Sequence, residues 1–220
     1  MLIGEIIAEY LLPWLLVAPA IPLLLLLIRR TLNGKTLTVL AMLCIASILS
    51  HVFLLIASGS GLEDDFIHVS FLVEFFFTGL LLKFCTDHSV LRYSILTAIL
   101  IFGSVYITYV SLLPRANSST LMLTGVLLVF LVSILVLLSK LNKLEQNILT
   151  VPDFWFTGGI FFHFGLLSLL FLTAKKSNDL DYHDQNEFSI LYVVMFFIQF
   201  LFFTVGVIMQ KPWSHTDKQA

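Results

Sequence analysis

The chain has 220 residues, 59% of them apolar and only 12% charged, with a formal net charge of −2. Soluble domains run nearer about 45–50% apolar and about 25% charged, because a water-facing surface needs ionised side chains. That excludes a soluble globule, and no nucleic-acid partner is expected. In a bilayer the backbone must satisfy its own hydrogen bonds, which leaves helices or a closed barrel. The apolar runs here are continuous rather than alternating, so the sequence predicts an all-α, polytopic membrane helix bundle.

Within the first apolar run, Leu11 to Val17 followed by Ala18-Pro19-Ala20 mimics a signal peptide with a small-residue cleavage site. The stretch before it carries Glu5 and Glu9 and no Lys or Arg, and the run continues to Arg29-Arg30. It is therefore expected to be an uncleaved first span, at about 7–28. Pro13, Pro19 and Pro22 each remove a backbone donor there, so a kink is expected. A span needs roughly 20 apolar residues. Six more follow at about 36–58, 66–86, 92–113, 119–139, 154–174 and 189–209. The polar segments between them are too short to hold a folded domain, so residues 1–220 read as a single transmembrane domain. The fifth span, Leu123–Leu138, is almost purely aliphatic apart from Gly125 and Ser133, and is expected to face lipid.

The distribution of charge gives the direction. Arg29, Arg30, Lys35, Lys83, Arg92, Lys140, Lys143, Lys211 and Lys218 fall on one side, against Arg115, Lys175 and Lys176 on the other. Basic residues concentrate on the cytoplasmic side. The acids Glu63-Asp64-Asp65 and Asp179, Asp181, Asp184 and Glu187 mirror that split. Seven transmembrane helices are expected, with the N-terminus out and the C-terminus in. Neither cysteine, Cys44 or Cys85, lies in an outer segment, so no extracellular disulfide framework is available.

Ionisable groups within spans are costly and turn toward the bundle interior. Glu74 sits about eight residues into the third span, about 12 Å deep, with Ser70 and Thr78 one turn either side. A carboxyl at that depth either finds a partner or takes up a proton. Cys44, Ser47 and His51 share one face of the second span, and His163 lies mid-way along the sixth within Phe161-Phe162-His163-Phe164. Tyr106 is at comparable depth in the fourth span and Gln199 in the seventh, two turns from Tyr192. His51, Glu74, Tyr106, His163 and Gln199 all fall about 9–16 Å below the outer boundary. That common depth makes them the candidate ligand-binding set around an outward-facing polar cavity. The alternative is that each is a satisfied polar group gluing helices together. His68 and Glu9 read as interfacial residues. No residues are assigned as catalytic or as metal ligands, and no cofactor is identified.

There is no glycine-rich phosphate loop, Cys-x-x-Cys or His-Glu-x-x-His, and the seventh span has no lysine for a retinal Schiff base. Two stretches carry a likeness to small seven-helix membrane proteins of Bacteroidetes that are thought of beside sensor kinases. They are Phe71-Leu72-Val73-Glu74-Phe75 and Pro152-Asp153-Phe154-Trp155-Phe156-Thr157-Gly158-Gly159, to which the Asn186-to-Phe203 start of the seventh span can be added. The chain resembles that group in layout over most of its length, which implies membrane sensing or signalling. Ser47-Ile48-Leu49-Ser50-His51 is similar to the Ser-x-x-x-His of the alkaline ceramidase and adiponectin-receptor superfamily. That resemblance implies a three-histidine zinc site for lipid amide hydrolysis, but the chain lacks the His-x-x-x-His of the last span.

The leading expectation is a non-enzymatic sensor or accessory membrane subunit in the bacterial inner (plasma) membrane. It would contact membrane lipids and signal through its cytoplasmic loops, chiefly Lys140–Asp153, to a separate signalling protein. A zinc-dependent membrane lipid hydrolase and a structural subunit of a membrane complex are the alternatives.

Overall fold

The computed structural model describes residues 2–29, 34–57, 63–112, 118–141, 147–176 and 182–210. They form seven α-helices: α1 (Leu2–Arg29), α2 (Lys35–Ala57), α3 (Glu63–Cys85), α4 (Ser89–Leu112), α5 (Ser118–Leu141), α6 (Pro152–Lys176) and α7 (Tyr182–Met209). A 3-10 turn, Ile148–Thr150, precedes α6, and no strand occurs among the described residues. Helices α2 to α7 are each long and apolar enough to cross a membrane, while α1 contributes a shorter apolar stretch, Trp14–Arg29. Helix α1 continues through all three of its prolines. Arg30, Arg115, Lys143, the acids Asp179 and Asp181, and the tail from Lys211 lie outside the described residues, as does 142–146 of the Lys140–Asp153 segment.

Consecutive helices pack side by side. Around the bundle, α7 meets α1, α1 meets α2, α2 meets α3, and α5, α6 and α7 follow in turn, with α3 also touching α5 and α6. Helix α4 lies outside this ring against α3 and α5. It buries a single stripe, Ile95, Ile99, Phe102 and Tyr106, and presents Leu100, Ile101, Val105 and Ile107 outward. Only 22% of its span is buried, against 39% for α5. The expectation that the fifth span faces lipid is thus corrected: α5 is the better enclosed helix, with Val126, Val129, Ser133 and Val136 inside. Aliphatic character cannot separate the two cases, because bundle core and lipid are equally apolar. The inward face of α5 is marked instead by its small residues. A Cβ at Gly125 would stand 2.7 Å from the Phe102 ring and 2.8 Å from that of Phe71, and Ser133 Oγ donates to the Phe130 carbonyl at 2.6 Å.

The described basic side chains gather at one end. There Arg29 donates to the carbonyls of Val207 and Ile208, both at 2.8 Å, and so caps the final turn of α7. Lys140 of α5 bridges to Asp153 of α6 at 3.0 Å, with Asp87 beyond α3 at 3.8 Å. Arg92 donates to the Thr86 carbonyl at 2.7 Å, and the Trp155 indole to that of Leu149 at 2.8 Å. These contacts tie α1 to α7 and α5 to α6 at the basic end and leave the opposite half of the interior to other groups.

Candidate polar site in the bundle interior

The register of α6 against α7 is set where the two backbones come closest. A Cβ on Gly159 would stand 2.9 Å from the Gln199 carbonyl oxygen, so only glycine admits this approach without displacing α7 backbone. Being antiparallel, the helices then bring the residue one turn up α6 against the residue one turn back along α7. Those residues are His163 and Met195, whose backbone lies beside the imidazole. The His163 ring lies 6.1 Å from both Tyr192 and Phe196.

Helices α2 and α3 reach the same level of α7. The His51 ring packs edge-on against Phe196 at 4.9 Å, and its Nδ1 donates to the Ser47 carbonyl at 2.7 Å. Glu74 of α3 lies within electrostatic reach of Tyr192. Four helices therefore converge on the Tyr192–Phe196 segment, with Ser47 one turn along α2 from His51, Thr78 one turn along α3 from Glu74, and Gln199 one turn beyond Met195.

Among the described residues, unpartnered polar atoms concentrate at this convergence, the two others, Thr86 Oγ1 and Arg92 Nε, lying at the basic end. Ser47 Oγ, Glu74 Oε1, Thr78 Oγ1, His163 Nδ1 and both Gln199 amide atoms are enclosed and have no hydrogen-bond partner. Gln199 and Thr78 are 0% exposed, His163 1% and Ser47 4%; Glu74 is half-buried as a residue, with Oε1 enclosed. Elsewhere the helix hydroxyls are satisfied by carbonyls three or four residues back, as at Thr108, Thr124, Thr157, Ser168 and Thr204. Buried polar groups are paired nine times in ten or better, so a group of unpaired ones from four helices calls for an explanation.

Of the five residues singled out in the sequence, Glu74, His51, His163 and Gln199 meet around α7, while Tyr106 belongs to another layer. Its hydroxyl shares a 2.7 Å hydrogen bond with His68 Nδ1, and its ring packs against Phe71 and Phe102. His68, expected at the interface, is buried in that pairing. The side chain of Glu9 lies outside the described residues. Phe196 and Tyr192, the residues on which the other helices converge, carry no sequence signal among so many phenylalanines and tyrosines. Among the described residues no three His, Cys, Asp or Glu side chains form a group able to hold a metal ion. A groove of about 540 Å³ runs along α4, lined by Ser104, Val105, Thr108, Tyr109 and Leu112, none of them in the interior set.

Comparison with protein-family models, curated proteins and solved structures gives no match. The residues alone carry the functional reading.

Proposed function

We propose that this chain is a seven-span membrane protein, N-terminus out and C-terminus in, acting as a non-enzymatic sensor or accessory subunit. The interior site between α2, α3, α6 and α7 holds a small polar ligand reached from the outer side, and the helices pass its occupancy to a partner at the inner loops. The nine-to-three division of basic residues supports the orientation. The observation that carries the ligand site is the set of unpartnered atoms on Ser47, Glu74, Thr78, His163 and Gln199. Helix-to-helix glue would show those atoms bonded to one another; a binding site shows them available. Ionisable residues facing a bundle interior mark such sites in membrane proteins.

The test is cysteine accessibility in a background lacking Cys44 and Cys85, both of which are buried and free. His51→Cys and Glu74→Cys should react with a membrane-impermeant maleimide from outside intact cells, and Val136→Cys, buried toward the basic end, should not. Reaction only from the cytoplasmic side would reverse the orientation, and no reaction from either side would mark a sealed core and end the reading.

A further inference from the structure

We infer that the occupant of this interior site is a small monovalent cation of sodium-like hardness, with the Glu74 carboxylate as its counter-charge and oxygens of Ser47, Thr78 and Gln199 around it. The inference rests on the ligand-site reading above and deepens it.

Charge is the first argument. An ionised carboxylate enclosed among apolar helices is strongly disfavoured unless a counter-charge accompanies it. The described lysines and arginines, Arg29, Lys35, Lys83, Arg92 and Lys140, belong to the ends of their helices, and neither His51 nor His163 bonds Glu74 Oε1, which has no partner. A proton or a bound cation must answer the carboxylate. A proton on Glu74 accounts for one oxygen and leaves Ser47 Oγ, Thr78 Oγ1 and Gln199 Oε1 as they are, enclosed and unpartnered. A cation held among them would be met by oxygens whose lone pairs are free, which a proton on Glu74 leaves unmet.

Donor chemistry and charge then select the ion. Carboxylate, hydroxyl and amide carbonyl form a hard oxygen set with no thiolate, which suits alkali or alkaline-earth ions rather than zinc or copper. The other described acids of known side-chain placement, Asp65, Asp87 and Asp153, sit at helix ends, so among the described side chains the site offers one negative charge. One charge balances a monovalent ion and leaves a divalent one uncompensated in a low dielectric. A hard ion keeps part of its hydration, so a few waters would accompany it. Those waters would meet the two remaining unpartnered nitrogens, His163 Nδ1 and Gln199 Nε2.

The experiment is equilibrium binding of radioactive sodium to the detergent-purified protein, with choline chloride holding ionic strength constant, and thermal unfolding alongside. Saturable sodium binding and a sodium-dependent rise in Tm are expected of the wild type. Glu74→Gln should abolish both, and Thr78→Val should weaken binding about tenfold or more. Thr78→Val keeps shape and charge, so it serves if Glu74→Gln does not fold. Absence of saturable binding in the wild type, or binding retained in Glu74→Gln, would overturn the inference. So would a Tm that follows pH but not sodium, which would assign the neutralising role to a proton. The maleimide experiment is independent of all three: labelling without sodium binding keeps the ligand site and discards the ion, whereas no labelling removes the site itself.

Discussion

Replacing Gln199 by leucine removes a primary amide that is fully enclosed and unpaired at both ends, and keeps nearly the same volume. Burial of an amide without hydrogen bonds costs about 1–3 kcal/mol by protein mutational data. Leucine leaves little cavity, and the close contact at Gly159 involves the Gln199 backbone oxygen, which the substitution retains. The variant should therefore be more stable than the wild type by about 1–3 kcal/mol when no ion is supplied. At roughly 2–4 °C per kcal/mol for a chain of this size, Tm should rise by about 2–12 °C. The measurement is thermal unfolding of the purified protein in sodium-free choline buffer. A gain in stability is what a functional site shows when a group kept for binding is removed. A fall of about 1 kcal/mol or more would mean that the amide is bonded within the protein, and the polar interior would then be helix-to-helix glue.

Gly159→Val should be destabilising by about 1–3 kcal/mol, because its Cβ meets α7 backbone rather than a flexible side chain; an unchanged Tm would contradict the close approach. Tyr106→Phe should lower stability by about 1 kcal/mol by leaving the buried His68 ring without its partner, with sodium binding unaffected because the pair lies outside the interior site. Lys140→Met should cost about 1–2 kcal/mol by stranding the partly buried Asp153, and adding Asp153→Asn should restore much of the loss in a double-mutant cycle. Arg29→Ala should speed amide hydrogen exchange at Gln210, whose N–H bonds back to Gly206 in the turn that Arg29 caps, while leaving exchange in the middle of α7 unchanged.

Two of the three cylindrical coordinates of each residue were legible in the sequence. Helix positions along the chain were, since six of the apolar runs are long enough to cross a bilayer, and depth was, because the rise per residue is constant. Counting inward from the boundaries placed Glu74, His163 and Gln199 at similar depths, and they do converge near one segment of α7. Helix ends were less legible: α7 begins at Tyr182 rather than near 189, since backbone hydrogen bonding continues where hydropathy falls away. The missing coordinate was azimuth. In water a helix declares its inner face by its apolar stripe, whereas in lipid both faces are apolar and no stripe is needed. Hence α5 read as lipid-facing, and Tyr106 read as a member of the central set although its side of α4 turns to His68. Small residues were the better guide, since Gly125 and Gly159 both mark places where another helix comes close.

The clamp of Arg29 on the end of α7 joins two helices whose contacting residues are 178 positions apart. As the chain is synthesised, α1 is made long before its partner exists. Every intermediate up to the emergence of α7 therefore carries an open seam along α1 and α2, with Ser47 and His51 lacking the wall that α7 provides. The ring can close only after translation has passed Ile208, so closure waits on contacts between the first and last helices rather than on neighbouring hairpins. Until then the polar faces of α2 and α3 stand open to lipid or to whatever insertion factor shields them, and the interior site comes into being in the same step that completes the bundle.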